Sequence, residues 1–199
     1  MKSVLYDKEW AKNAPNFELY YMHRGVKKKG EFTLLNNSAK SGIAAKRHLT
    51  GLRYDITIIP PKMLGKEFVR TKGNRNSKNF QELYIVLEGK AIFLMQKTQR
   101  GKINIIEDIV AVNAKKGEIV IFPPKYAAIT INPSKKTLKV ANWVSEKNKN
   151  IYKELEKMKG AGYFYTKTGW KKNKNYKKIP KLRLEKPLKK MPTNLDFLK

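Results

Sequence analysis

The fold class predicted by this sequence is all-β, an antiparallel sandwich or small barrel. From Leu52 to Val144, short runs of β-branched and aromatic residues recur at roughly 8–12-residue spacing. Glycine or proline bounds most of these runs, which is how strands are separated when a turn conformation or a missing N–H is needed. Cysteine is absent, so disulfides and thiolate metal sites are excluded, and the apolar 41% of the 199 residues must build the core unaided.

Taken in order, residues 1–16, with Trp10 and Pro15, are compatible with a short helix, and Phe17–His23 reads as an aromatic strand. Residues 24–30 form a basic, glycine-bounded loop, and residues 38–50 read as irregular. Arg53–Ile59 is β-branched and stops at Pro60-Pro61. Glu67–Thr71 is a second strand, after which Gly73 opens a polar turn. Glu82–Glu88 is turned by Gly89 into Ala91–Gln96, then a hairpin tip at Gly101 leads into Ile103–Val112. A turn over Lys115–Glu118 precedes Glu118–Phe122, ended by Pro123-Pro124; Ala127–Ile131 and Thr137–Val144 complete the set. Residues 150–159 fit one helix, with Tyr152, Leu155 and Met158 on one face.

Charge sets this chain apart. It holds 44 Lys and Arg against 16 Asp and Glu, a formal +28. Such self-repulsion opposes compaction and favours a polyanionic partner. Lysine enrichment by heat adaptation brings glutamate with it, and here acids are scarce. Residues 147–199 alone carry +13. Aromatic residues are interleaved there, and Pro180, Pro187 and Pro192 favour an extended arm over a helix. Residues 180–199 should therefore lie along a surface, the chain's own barrel or a partner. Nothing at the start resembles a secretory leader, and no run approaches 18 apolar residues, so a soluble cytoplasmic protein with no membrane partner is expected.

The basic patches are Lys27-Lys28-Lys29, Lys46-Arg47, Lys135-Lys136, Lys147 with Lys149, residues 171–178 (Lys171, Lys172, Lys174, Lys177, Lys178), and Lys189-Lys190. Lysine contacts phosphate, and aromatic rings such as Trp170 and Tyr176 can stack on unpaired bases. No RNA-recognition-module, KH, zinc-finger or helix-turn-helix signature is present. RNA is thus the expected partner, bound through backbone charge and shape with weak sequence choice.

Two segments carry the candidate chemistry: Gly73-Asn74-Arg75-Asn76 running to Glu82 and Gly89, and Gly117 running through Pro123-Pro124-Lys125 to Ala128 and Asn132. Their spacing resembles the two motifs of cupins. More narrowly, the chain resembles the archaeal-type cupin phosphoglucose isomerases through Glu18–Gly25, Gly51–Thr57, Gly65–Phe68, Thr71-Lys72-Gly73, Glu82-Leu83-Tyr84, Ala141-Asn142-Trp143, residues 160–165 and residues 175–180. The likeness covers roughly residues 17–185. It implies a cupin-type double-stranded β-helix, or jelly-roll barrel, with a short helix and basic N- and C-terminal extensions. Residues 1–50 would be the N-terminal extension, 51–146 the barrel and 147–199 the helix plus arm.

That family converts aldose 6-phosphates to ketose 6-phosphates through an enediol. By resemblance, three histidines and a glutamate hold a divalent metal, and the glutamate carries the proton. Here the histidine positions fall on Asn74, Asn76 and Ala128, the glutamate on Glu82 and a motif glycine on Lys125. No metal or other cofactor is expected from such a set. Arg75 would add positive charge where the cation would sit, and Glu82 would pair with Arg75 or Lys72. Neither His23 nor His48 lies in a motif. By the same resemblance Thr57, Thr71 and Gly73, with Tyr152 further on, would grip a substrate phosphate.

Three expectations follow. The first is a non-catalytic cupin attached to RNA, with rRNA, the ribosome or a ribonucleoprotein as its setting. The second is a divergent isomerase with Glu82 as residual catalytic base. The third is a sugar-phosphate sensor using the threonines. A homodimer is implied by resemblance only.

Overall fold

A computed structural model describes residues 51–199. The expected helix in 1–16, the strand Phe17–His23, the basic loop 24–30 and the segment 38–50 lie outside the described residues. So do His23, Lys27, Lys28, Lys29, Lys46, Arg47 and His48.

The described chain is almost wholly β: β1 (Leu52–Ile59), β2 (Met63–Leu64), β3 (Glu67–Phe68), β4 (Asn74–Asn76), β5 (Glu82–Glu88), β6 (Lys90–Gln99), β7 (Lys102–Lys115), β8 (Ile119–Phe122), β9 (Ala127–Ile131), β10 (Leu138–Ser145) and β11 (Asn150–Ile151). A short helix α1 (Lys153–Lys157) follows, then β12 (Tyr163–Thr166), β13 (Gly169–Lys172), β14 (Arg183–Glu185) and a 3-10 turn at Asp196–Leu198.

Two sheets face each other as a jelly-roll barrel. One runs β1-β10-β5-β8, the other β11-β4-β9-β6-β7-β14, and a small third sheet runs β13-β12-β3-β2. Alternation along each strand sends one row inward. Tyr84 and Val86 of β5, Phe93 and Met95 of β6, Val112 of β7, Val120 and Phe122 of β8 and Val140 of β10 meet there as one buried cluster. The opposite rows form two outer apolar faces, and the C-terminal quarter of the chain covers both. Leu155 of α1 and Met158 just after it, with Tyr163 and Tyr176, pack on Ile92, Leu94, Ile129 and Ile131. Leu195 and Leu198 pack on Leu52, Tyr54, Leu83 and Trp143.

Three expectations change. Val69–Thr71 is not strand: Arg70 makes one isolated bridge to Ile131, and its guanidinium turns inward to a buried ion pair with Glu67. The chain does turn at Gly73, where φ is +83°, but Asn74–Asn76 continue as a strand between β9 and β11. The helix is only five residues long, because Asn150–Ile151 pair with β4 instead. Residues 147–199 lie along the chain's own barrel, one of the two surfaces expected for residues 180–199. They contain the β12–β13 hairpin, a strand β14 parallel to β7, and a tail whose Leu188 exchanges both backbone hydrogen bonds with Ile119. The apolar residues of this segment decide that outcome, since burying them outweighs the repulsion between lysines that remain at the surface.

Candidate functional site

Asn74 and Asn76 lie two apart on β4, so both side chains point inward and both are buried. Asn74 is directly opposite Ala128 on β9. Glu82 begins β5 and is 2% exposed. The fold therefore brings together the four positions that the resemblance assigns to a metal.

An amide network fills that place. Asn142 of β10 donates its Nδ2 to Glu82 Oε1 at 2.9 Å, and Asn76 donates to Glu82 Oε2 at 3.4 Å. Asn76 Oδ1 accepts from Asn148 Nδ2 at 2.9 Å and from Asn74 Nδ2 at 3.4 Å. Asn148 continues to Asn150, and Asn150 to the Tyr152 hydroxyl. Tyr84, fully buried, has its phenol pushed well above the ordinary range, by burial first and then by the charges of Glu82 and Asp55.

This donor set does not fit a transition ion. It offers one carboxylate, two amides and a methyl group, and the amide oxygen of Asn76 already accepts two hydrogen bonds. Among the described residues no three His, Cys, Asp or Glu side chains gather as a metal site. Asn142 was not singled out from the sequence as a partner for Glu82. Its inward row, Val140, Asn142, Val144, was nevertheless legible as an alternating strand.

Arg75 does not enter the site. It lies between the two asparagines, so it faces the other side and pairs with Glu154 at 2.6 Å. That bond raises its pKa further above the usual guanidinium value. Lys72 pairs with Glu156 and lies over the Tyr152 ring at 5.0 Å. Neither is the expected partner of Glu82, because strand alternation and α1 give both cations other carboxylates. Arg75 and Lys125 instead line an outer cleft of about 490 Å³ with Lys97, Arg100, Glu107 and Glu154. Lys125 there adopts φ +68°, a left-handed conformation that suits the glycine of the motif better.

The expected phosphate grip is less uniform. Thr57 on β1 is buried, and its Oγ1 has no hydrogen-bond partner among the described residues. Thr71 Oγ1 accepts from Thr130 N at 3.0 Å, so this hydroxyl already ties two chain segments together. A Cβ on Gly73 would run into Ile129, Leu155 and the Ala128 carbonyl, so close packing as well as φ requires glycine. The Tyr152 hydroxyl accepts from Asn150 at 3.2 Å.

On the surface, Lys171, Lys172, Lys174, Lys177, Lys178, Lys189 and Lys190 are exposed. Buried anchors between them hold the backbone in place. Asn173 Nδ2 donates to the carbonyls of Met158 and Ala161, both at 2.9 Å. Tyr176, expected to stack on bases, is 7% exposed and belongs to the core. Its hydroxyl donates to Gly160 O and accepts from Gln96 Nε2. Its ring completes an apolar cluster, which an isolated run of lysines does not reveal. Trp170 is half-buried, packed on Tyr165 at 4.8 Å between ring centres.

The tail is clipped to the barrel by charge. Arg183 donates two hydrogen bonds to Asp108, at 3.0 and 2.8 Å, and Tyr126 donates a third at 2.6 Å. The Arg183 guanidinium lowers the Asp108 carboxyl to about 2. Burial, then the hydrogen bond to Asp108, pushes the Tyr126 phenol up to about 12.

Barrel topology and inward motif rows together define a protein of the cupin class. The family model described as glucose-6-phosphate isomerase (GPI) matches residues 6–181. The chain belongs to that family. Among curated relatives, the glucose-6-phosphate isomerase of Thermococcus litoralis is 37% identical over 86 residues, 43% of this chain and 42% of that protein. That of Pyrococcus abyssi is 37% identical over 82 residues, 41% and 40% of the two chains. The chain thus spans well under half the length of the curated relatives it matches. Similar solved structures include a cupin-like protein of Thermotoga maritima, 18% identical with a TM-score of 0.37, covering 63% of this chain and 80% of that one. A cupin-2 domain protein of Shewanella frigidimarina is 12% identical with a TM-score of 0.33, covering 60% and 85%. Among the described residues no helix is long and apolar enough to cross a membrane.

Proposed function

We propose that this chain is a non-catalytic member of its family that binds RNA, in a ribosomal or other ribonucleoprotein setting. One observation carries the reading. Five lysines within residues 171–178 are exposed on a backbone pinned by buried Asn173 and Tyr176. Ordering their backbone beforehand lowers the entropy lost on meeting a phosphate chain. The formal +28 of the whole chain supplies long-range attraction. The amide network around Glu82 supports the non-catalytic half of the proposal, since an enediolate left without a Lewis acid lacks several kcal/mol of stabilisation. Salt-titrated RNA binding tests it. Expected are submillimolar affinity at physiological salt and a steep loss as salt rises; millimolar affinity with a flat salt dependence refutes it.

A second reading, residual isomerisation or sugar-phosphate sensing in the barrel, is favoured by the burial of Glu82 and by the Thr57 hydroxyl, which has no partner among the described residues. Turnover of fructose 6-phosphate with added Fe, Mn, Ni or Zn, abolished by Glu82→Gln, supports the enzyme. Thermal stabilisation by sugar phosphates without turnover supports the sensor.

A further inference from the structure

Two hairpin tips lie side by side. Gly65 and Lys66 close the β2–β3 hairpin, and Lys167 and Thr168 close the β12–β13 hairpin. They are neighbours because Thr166 of β12 pairs with Glu67 of β3. Between them is a groove of about 460 Å³, within the range of ligand pockets. Its lining includes Met63, Lys66, Thr166, Lys167, Thr168 and Lys171, with no acidic residue among the described residues. The nearest acid in sequence, Glu67, is buried and held by Arg70. The three lysines are exposed and the second hairpin tip is internally braced: Thr166 Oγ1 donates to Gly169 O at 2.8 Å and lies 3.2 Å from Thr168 Oγ1.

We infer that this groove seats a single strand of RNA, its phosphates on Lys66, Lys167 and Lys171 and a base or ribose against Met63. The inference rests on the RNA-binding reading and names a site within it. Charge complementarity carries it: three exposed lysines line one cavity, and among the described residues no carboxylate joins them, so an entering anion relieves their mutual repulsion. Lys171 also begins the exposed lysine run, so a strand leaving the groove continues along Lys172 to Lys178. The wall is not purely charged, and the half-buried Met63 offers the apolar contact that a base can use and a bare phosphate cannot.

The test compares two triple variants of the full chain that lose equal charge. One is Lys66→Gln/Lys167→Gln/Lys171→Gln. The control is Lys90→Gln/Lys115→Gln/Lys116→Gln, at exposed positions away from the groove lining. Binding of a single-stranded RNA of about twenty nucleotides is followed by fluorescence anisotropy against salt, with a duplex of equal length as competitor. Each phosphate contact on a single strand contributes about 0.7 to the salt slope, so the groove variant should bind with a slope shallower by about 2 and an affinity at least about tenfold weaker. The control should change affinity less than about threefold, and the duplex should compete poorly. Equal losses from the two variants, or a duplex that competes as well as the single strand, overturn the groove while leaving RNA binding in place. A wild-type chain that binds no RNA overturns both.

Discussion

Placing histidine at Asn74, Asn76 and Ala128 should turn the amide network into an ion site. Asn74 and Asn76 share a face, Asn74 is opposite Ala128, and Asn76 is within hydrogen-bond reach of Glu82. Three imidazoles and a carboxylate would then converge, a set suited to nickel, cobalt or iron. The apo triple variant should be less stable than wild type. Removing Asn76 leaves the buried Asn148 amide without its 2.9 Å acceptor and takes one donor from Glu82, about 1–3 kcal/mol. A histidine at Ala128, which packs in the inner cluster, adds about 1–3 kcal/mol of crowding. Metal at a thousandfold excess over its dissociation constant returns about 4 kcal/mol, which for a chain of this size is roughly 8–16 °C in Tm. Thermal unfolding with and without nickel, together with elemental analysis of the dialysed protein, measures this. A folded triple variant that keeps no ion refutes the placement of these positions. A wild-type protein that retains one tightly bound transition ion refutes the reading of the amide network.

Other expectations are more local. Lys125→Gly should stabilise the protein by up to about 1 kcal/mol in denaturant titrations, because glycine accepts φ +68° without strain. Leu198→Ala should cost about 2–5 kcal/mol, since Leu198 is fully buried beneath the first sheet. Tyr176→Phe should lower stability by about 1–3 kcal/mol through the orphaned Gln96 and Gly160 groups, while RNA affinity stays unchanged; a large loss of affinity would return Tyr176 to the binding surface. Asp108 has a depressed folded pKa, so its contribution is complete above the ordinary carboxylate value near 4 and disappears as pH falls through about 2. Arg183→Ala should therefore raise the Asp108 pKa seen by NMR. Its stability deficit should be small, because the pair is partly exposed, and should vanish below about pH 2.

Strands bounded by glycine or proline were the most legible elements. Glu82–Glu88 and Ala127–Ile131 were readable to the residue, and Ile119–Phe122 nearly so, because alternation and turn residues agreed. The three-residue Asn74–Asn76 carries no periodicity, and its strand exists only because β9 and β11 flank it. The β12–β13 hairpin was hidden by its lysines, whose composition resembles a solvated arm. The resemblance to the cupin motifs was enough to place Asn74, Asn76, Glu82 and Ala128 in one site. The partners of Glu82 were missed, although strict alternation would have turned Arg75 away from Asn74 and Asn76.

By itself, then, the sequence determined the barrel, its inward rows, the composition of its central site and the excess of positive charge. These depend on residue type and on a period of two along each strand. Only the tertiary structure decided that Asn142 and Asn148 hold the site together, that Tyr176 is core, that the tail clips onto Asp108, and that Lys66 shares a groove with Lys167 and Lys171. Those pairings join residues more than a hundred positions apart in the groove, and no local spacing encodes which distant faces meet when the core closes.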